Sequence, residues 1–142
     1  MNRTDIRQAL LITNPKARQC AGAQLDEGIA KLERAGIEIE RLVSKSPEES
    51  RRAVLDRKER LDLVIVGGGD GTISSMAGTM YESGLVLAIL PLGTANDLAR
   101  SLGLTGELDE AFDVIVSGMR QSIDLGKVND HYFFNVAHLG LG

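Results

Sequence analysis

Hydrophobic and polar positions along this chain fall into two alternating rhythms. Four stretches are short, apolar and β-branched or strictly alternating: 8–13, 37–43, 61–66 and 85–90. Such runs read as strands. Between them, apolar residues recur at helical spacing. Leu25, Ile29 and Leu32 mark one face of a helix over about 21–35, closed by Gly36. Ser46-Pro47-Glu48-Glu49 is a helix start, with Ser as N-cap and Pro first, and the charged helix behind it runs to about Arg60. Ile73, Met76, Ala77 and Met80 form a further stripe, and Leu108, Ala111, Phe112 and Ile115 another that ends near Gly118. A short helix reaches about Ser101, with Thr94 as its cap and Asp97 in its first turn. Strand alternating with helix predicts an α/β fold: a doubly wound, mostly parallel sheet flanked by helices. The tail differs. Residues 120–128 and 131–139 read as an antiparallel hairpin about Asn129-Asp130, so something new begins near residue 120.

The centre of this pattern is Gly67-Gly68-Gly69-Asp70-Gly71-Thr72, set between the third strand and the helix that follows. In an open α/β sheet such a turn lies at the carboxyl edge, where ligands bind. Glycines let a ligand approach the backbone, and free N–H groups at a helix start favour an anion such as phosphate. Asp70 is out of character among phosphates. It makes sense opposite a cation, a donor hydroxyl or backbone N–H groups, or as a plain helix cap. Neither of two common phosphate motifs fits. Walker A needs a Gly-Lys-Ser/Thr ending, and the dinucleotide pattern fails because Thr72 stands at its last glycine.

Composition narrows the class. The 142 residues suffice for one domain with its own core. A net charge of −4 argues against a general nucleic-acid binder and leaves membrane contact to a local patch. One cysteine, Cys20, excludes an internal disulfide and fits a reducing cytoplasm. The sequence has no apolar run of 18 residues, and its opening does not read as a signal peptide.

Pro91-Leu92-Gly93-Thr94-Ala95-Asn96-Asp97 resolves which family the glycine turn resembles. Gly68 to Thr72 alone is similar to the loop shared by NAD kinases and diacylglycerol-kinase-like lipid kinases. The second stretch resembles the lipid kinases only. Asn14-Pro15 is similar to their opening motif, and 123–129 with 133–137 and Gly140 to the segment leading into their second domain. The resemblance runs in order from about Leu10 to Gly142.

It implies a two-domain enzyme about twice this length, with residues 1–119 as the nucleotide-binding α/β domain and 120–142 as the start of a truncated β-rich domain. It implies ATP and Mg2+, and transfer of the γ-phosphoryl to a lipid hydroxyl, diacylglycerol by default. The acceptor base lies in the second half, so this chain alone is expected to be inactive. It implies a cytoplasmic protein, peripheral to the inner face of the membrane. Asn14, Ser44, Gly68, Gly69, Asp70, Gly71, Thr72, Ile73, Ser74 and Thr94 fall on positions that hold the nucleotide. Asp70 is the candidate catalytic residue, and Asp97 and Asp124 join it at acidic positions tied to magnesium. Ser74 and Ser75 stand where relatives often have Asn and Glu, and Lys16, Ala17 and Arg18 replace a Ser-Gly after Asn-Pro. The alternatives are an NAD or sphingoid-base kinase with the same loop, or a nucleotide-binding module without catalysis. Phosphoryl transfer asks for positioning and charge neutralisation, which Lys16 and Arg18 could supply. His131 and His138 are too few for a stable zinc site. The apolar strand 131–139 invites pairing with a second copy through the hairpin.

Overall fold

The structure, a computed structural model, describes residues 6–93, 96–118, 124–128 and 131–135, the last two stretches as backbone. Four parallel strands form the sheet in the order β2-β1-β3-β4: β1 (Gln8–Thr13), β2 (Glu38–Val43), β3 (Leu63–Gly68) and β4 (Val86–Pro91). β1 and β3 are central, and their inner residues 9–12 and 63–66 are apolar because both faces are covered. On one face Ala9, Leu11, Leu63 and Ile65 pack beneath α1 (Pro15–Arg34) and α6 (Leu108–Ser117), which contribute Leu25, Ile29, Leu32 and Phe112. On the other, Leu10, Ile12, Val64 and Val66 meet α2 (Pro47–Arg57), α3 (Asp70–Ser74), α4 (Ala77–Ser83) and α5 (Asp97–Ser101) through Val54, Ile73, Met80 and Ala99. This is the doubly wound α/β arrangement that the alternating pattern predicts. The helices after β1 and β3 leave to opposite faces. A crevice therefore opens between the carboxyl ends of these two strands, the place where such sheets bind ligands.

Local boundaries differ from the sequence reading at several points, among them the cap position of α5, which is Asn96 and not the expected Thr94. α1 starts at Pro15, six residues before the expected Ala21. Asn14 is its N-cap, extended at φ −92°, and its Oδ1 accepts from the Ala17 N–H at 2.7 Å. Pro15 at the first position has no N–H to lose. The opening turn is small and polar, so it shows no apolar stripe, and Ala21 (φ −130°, ψ 22°) kinks the helix before the stripe begins. β3 runs on through Gly67 and Gly68, which pair with Leu90 and Pro91 of β4. The helix after the glycines is two short pieces, α3 and α4, separated at Ser75 and Met76.

α2 is tied to its neighbours by charge. Arg51 pairs with Glu82 of α4, and Arg57 and Arg60 pair with Glu40 of β2. The Arg60 hydrogen bond, helped by Arg57, holds the Glu40 carboxyl below its ordinary range against the opposing effect of burial. Screened by solvent, these exposed pairs add little to stability. β5 (Asp124–Val128) and β6 (His131–Asn135) form a separate antiparallel pair, from Asp124 opposite Asn135 to Val128 opposite His131. The expected turn between them, and the outer parts of the expected strands, lie outside the described residues.

Candidate functional site at the carboxyl edge of the sheet

A cleft of about 260 Å³ opens where β1, β2 and β3 end. Its apolar floor is Ile12, Val66 and Met76. β1 contributes Thr13 and Asn14 to one wall, and α3 and the break after it contribute Gly71, Thr72 and Ser75. The β2–α2 turn forms the other wall with Ser44, Lys45, Ser46 and Pro47, backed by Ser50. Asn14 spans the crevice. Its Oδ1 caps α1, and its Nδ2 donates to Thr72 Oγ1 at 3.3 Å. The serine wall is held by its own hydroxyls. Ser50 donates to Ser44 Oγ at 2.6 Å, and Ser44 donates to the Ser46 carbonyl at 2.8 Å. Ser46 Oγ accepts from the Glu49 N–H and caps α2.

Beside this cleft the glycine turn is pressed against the loop after β4. Leu92 N–H donates to the Gly68 carbonyl at 3.0 Å. One step further the backbones touch: a Cβ on Gly93 would lie 2.4 Å from the Gly69 Cα. Asn96 closes the second loop on itself, donating to the Gly93 carbonyl and accepting from its N–H, both at 2.9 Å. It is buried in the left-handed region at φ 54°, ψ 44°, a conformation Asn tolerates. Asp70 completes the join. Its two carboxylate oxygens accept from the Asp97 and Leu98 N–H groups at 3.0 and 3.2 Å. Asp70 thus caps α5, an element 27 residues on, where no side chain of α5's own N-cap does so.

The sequence-derived residues divide accordingly. Asn14, Ser44, Gly71 and Thr72 border the cleft. Gly68, Gly69 and Asp70 build the joint between the two loops. Ile73 is 1% exposed, its side chain in the core and its N–H on the Gly69 carbonyl. Ser74 is exposed, and Ser75 donates to the Thr72 carbonyl at 2.6 Å. Thr94 and the Asp124 side chain lie outside the described residues. Among the described residues, no three His, Cys, Asp or Glu side chains gather as a metal site. The Asp70 oxygens are occupied by backbone N–H groups, and Asp97 meets Asp70 through its N–H. Asp70 and Asp97 thus meet at the joint, while the side chain of the third acidic position, Asp124, lies outside the described residues.

Thr13, Lys45, Ser46 and Ser50 border the cleft without having been singled out in the sequence. Their signal was present, since any residue just past a strand's carboxyl end in a parallel sheet belongs to the ligand edge. The arrangement as a whole is chemically simple: an apolar floor, neutral hydrogen-bonding walls, and Lys45 as the charged residue bordering it. It can hold and orient a polar ligand, and among the described residues its lining includes no Asp, Glu or His to take a proton.

Residues 8–128 match the family model of the diacylglycerol kinase catalytic domain. A curated diacylglycerol kinase from Staphylococcus aureus (strain Newman) is 32% identical over 135 residues, covering 92% of this chain and 43% of that protein. The crystal structure of a diacylglycerol kinase from Bacillus anthracis str. Sterne superposes with a TM-score of 0.80 at 30% identity, over 92% of this chain and 47% of that one. A second structure from the same organism gives 0.81 over 93% and 50%. The chain therefore spans about half the length of the relatives it matches.

Proposed function

This chain belongs to the diacylglycerol kinase catalytic domain family, and from that premise we propose that it is the nucleotide-holding part of an ATP-dependent lipid kinase. In the proposed reaction the bond from the γ-phosphorus to ADP breaks and a bond to a lipid hydroxyl oxygen forms, diacylglycerol being the first candidate acceptor. Magnesium enters with the nucleotide as Mg-ATP. Residues 1–119 hold the nucleotide in the cleft between β1 and β3. Asp70 acts here as a positioning residue, locking the glycine turn to α5. Because no Asp, Glu or His among the described residues borders the cleft, the chain alone is expected to bind nucleotide and to leave diacylglycerol unphosphorylated. Among the described residues no helix is long and apolar enough to cross a membrane.

Gly71 is the observation that carries this reading. Every reason internal to the fold for a glycine is missing there. Its φ is not positive, and a Cβ would meet nothing within 4 Å. It sits in α3, where glycine costs helix stability relative to alanine. It also borders the cleft. A side chain at this position has room in the empty protein and none beside a ligand packed on the turn. Gly71→Ala is therefore expected to raise the melting temperature slightly, by about 0.5 kcal/mol of stability. It is expected to weaken Mg-ATP binding by about tenfold or more. Calorimetric titration and thermal melts of the same samples check both signs. Unchanged affinity would remove the ligand from this turn.

A further inference from the structure

We infer that Lys45 is the anion-recognising residue of the cleft and sets its preference for the phosphorylated nucleotide over the nucleoside. The inference rests on the nucleotide reading and adds to it a residue that no motif marks. Lys45 stands two residues past the end of β2, one step past Ser44, and it borders the cleft. The lining otherwise carries no charge of either sign. Five cations elsewhere on this surface are engaged, Lys31 with Asp113, Arg41 with Asp26, Arg51 with Glu82, and Arg57 and Arg60 with Glu40, and Lys16 and Arg18 past the end of β1 are not among the lining residues. Lys45 makes no ion pair among the described residues.

The neighbouring serines cannot take its place. Ser44 and Ser50 spend their hydroxyl protons on the Ser46 carbonyl and on Ser44 Oγ, and Ser46 Oγ caps α2. They shape the wall and keep few donors for a ligand. Asn14 is committed likewise, to Ala17 and Thr72. An anion entering the cleft is therefore left with one mobile cation. The ammonium carries three donors on a flexible stem, suited to a phosphate oxygen whose position shifts along a polyphosphate. Among the described residues no carboxylate lines the cleft to compete for it.

The test is calorimetric titration of the full chain with Mg-ATP and with adenosine, using the parent, Lys45→Gln and Lys45→Arg. Lys45 is exposed, so melting temperatures should match. Lys45→Gln should weaken Mg-ATP about tenfold while adenosine binding stays the same, as for loss of one hydrogen bond to a charged group. Lys45→Arg should restore most of the Mg-ATP affinity. The Lys45→Gln loss should also shrink at high salt, because added ions already screen an exposed charge. An equal loss for ATP and adenosine, or no loss for either, would overturn the assignment while leaving the cleft as a nucleotide site. A parent that binds neither ligand would overturn both readings together.

Discussion

Gly93→Val is expected to abolish Mg-ATP binding and to lower stability by about 3 kcal/mol, roughly 10 °C in melting temperature for a domain of this size. The reason is a contact between backbones. A Cβ at this position would stand 2.4 Å from the Gly69 Cα and 3.3 Å from the Gly69 N, and neither atom can rotate aside as a side chain can. Two further ties cross the same joint, Leu92 to Gly68 and Asp70 to the start of α5, while Asn96 braces the second loop through Gly93. A valine must push the two loops apart against all of them. The glycine turn would then move away from the cleft that Gly71 and Thr72 border. Gly69→Val should be milder, because a Cβ at Gly69 would lie 3.3 Å from the Gly93 Cα. Chemical denaturation of both variants beside Gly71→Ala orders the three. If Gly93→Val melted with the parent, the two loops could not be pressed together as described.

Phe112→Ala should be the most destabilising single truncation, costing about 3–5 kcal/mol. Native stabilities are typically about 5–15 kcal/mol, so this is a large share of the total. Phe112 is 1% exposed and lies between α6, α1 and the sheet. Its ring occupies the notch that Gly28 leaves on α1, where a Cβ would fall 2.0 Å from the ring. Two helices thus approach each other through one large and one absent side chain. Removing the ring leaves a cavity that neither helix can fill without losing contact with Leu25 or Ile29. The cleft lies beside α2 and α3, on the opposite face of the sheet. Nucleotide affinity of the folded variant should therefore remain close to the parent's. Urea denaturation measures the first effect and titration below the transition the second. A cost under about 1 kcal/mol would contradict the packing.

Much of this arrangement is legible in the sequence because the strands announce themselves. β1 and β3 are covered on both faces, so they read as continuous apolar runs. Leu25, Ile29, Leu32 and the stripe through Phe112 show helices facing a core. Periodicity fails where a cap does the work. The first turn of α1 is fixed by Asn14 and Pro15, with no apolar stripe to reveal it. Contacts between distant segments are harder still. Nothing near Asp70 in the chain says that its carboxylate will meet the N–H groups of Asp97 and Leu98. Local reasoning leaves it between a cation and its own helix. The same holds for Gly93, whose need for a bare Cα comes from Gly69. Lys45 was passed over because it belongs to no motif; its importance comes from the neutral walls around it.

The most direct test of the nucleotide cleft is a titration of the isotopically labelled chain with Mg-ATP, followed by amide resonances. Saturable shifts are expected at Asn14, Ser44, Lys45, Gly71 and Thr72, with those of Arg52 and Asp56 on the outer side of α2 unmoved. Saturation with shifts confined to other surfaces, or no saturable shift at all, would contradict a nucleotide site between β1 and β3.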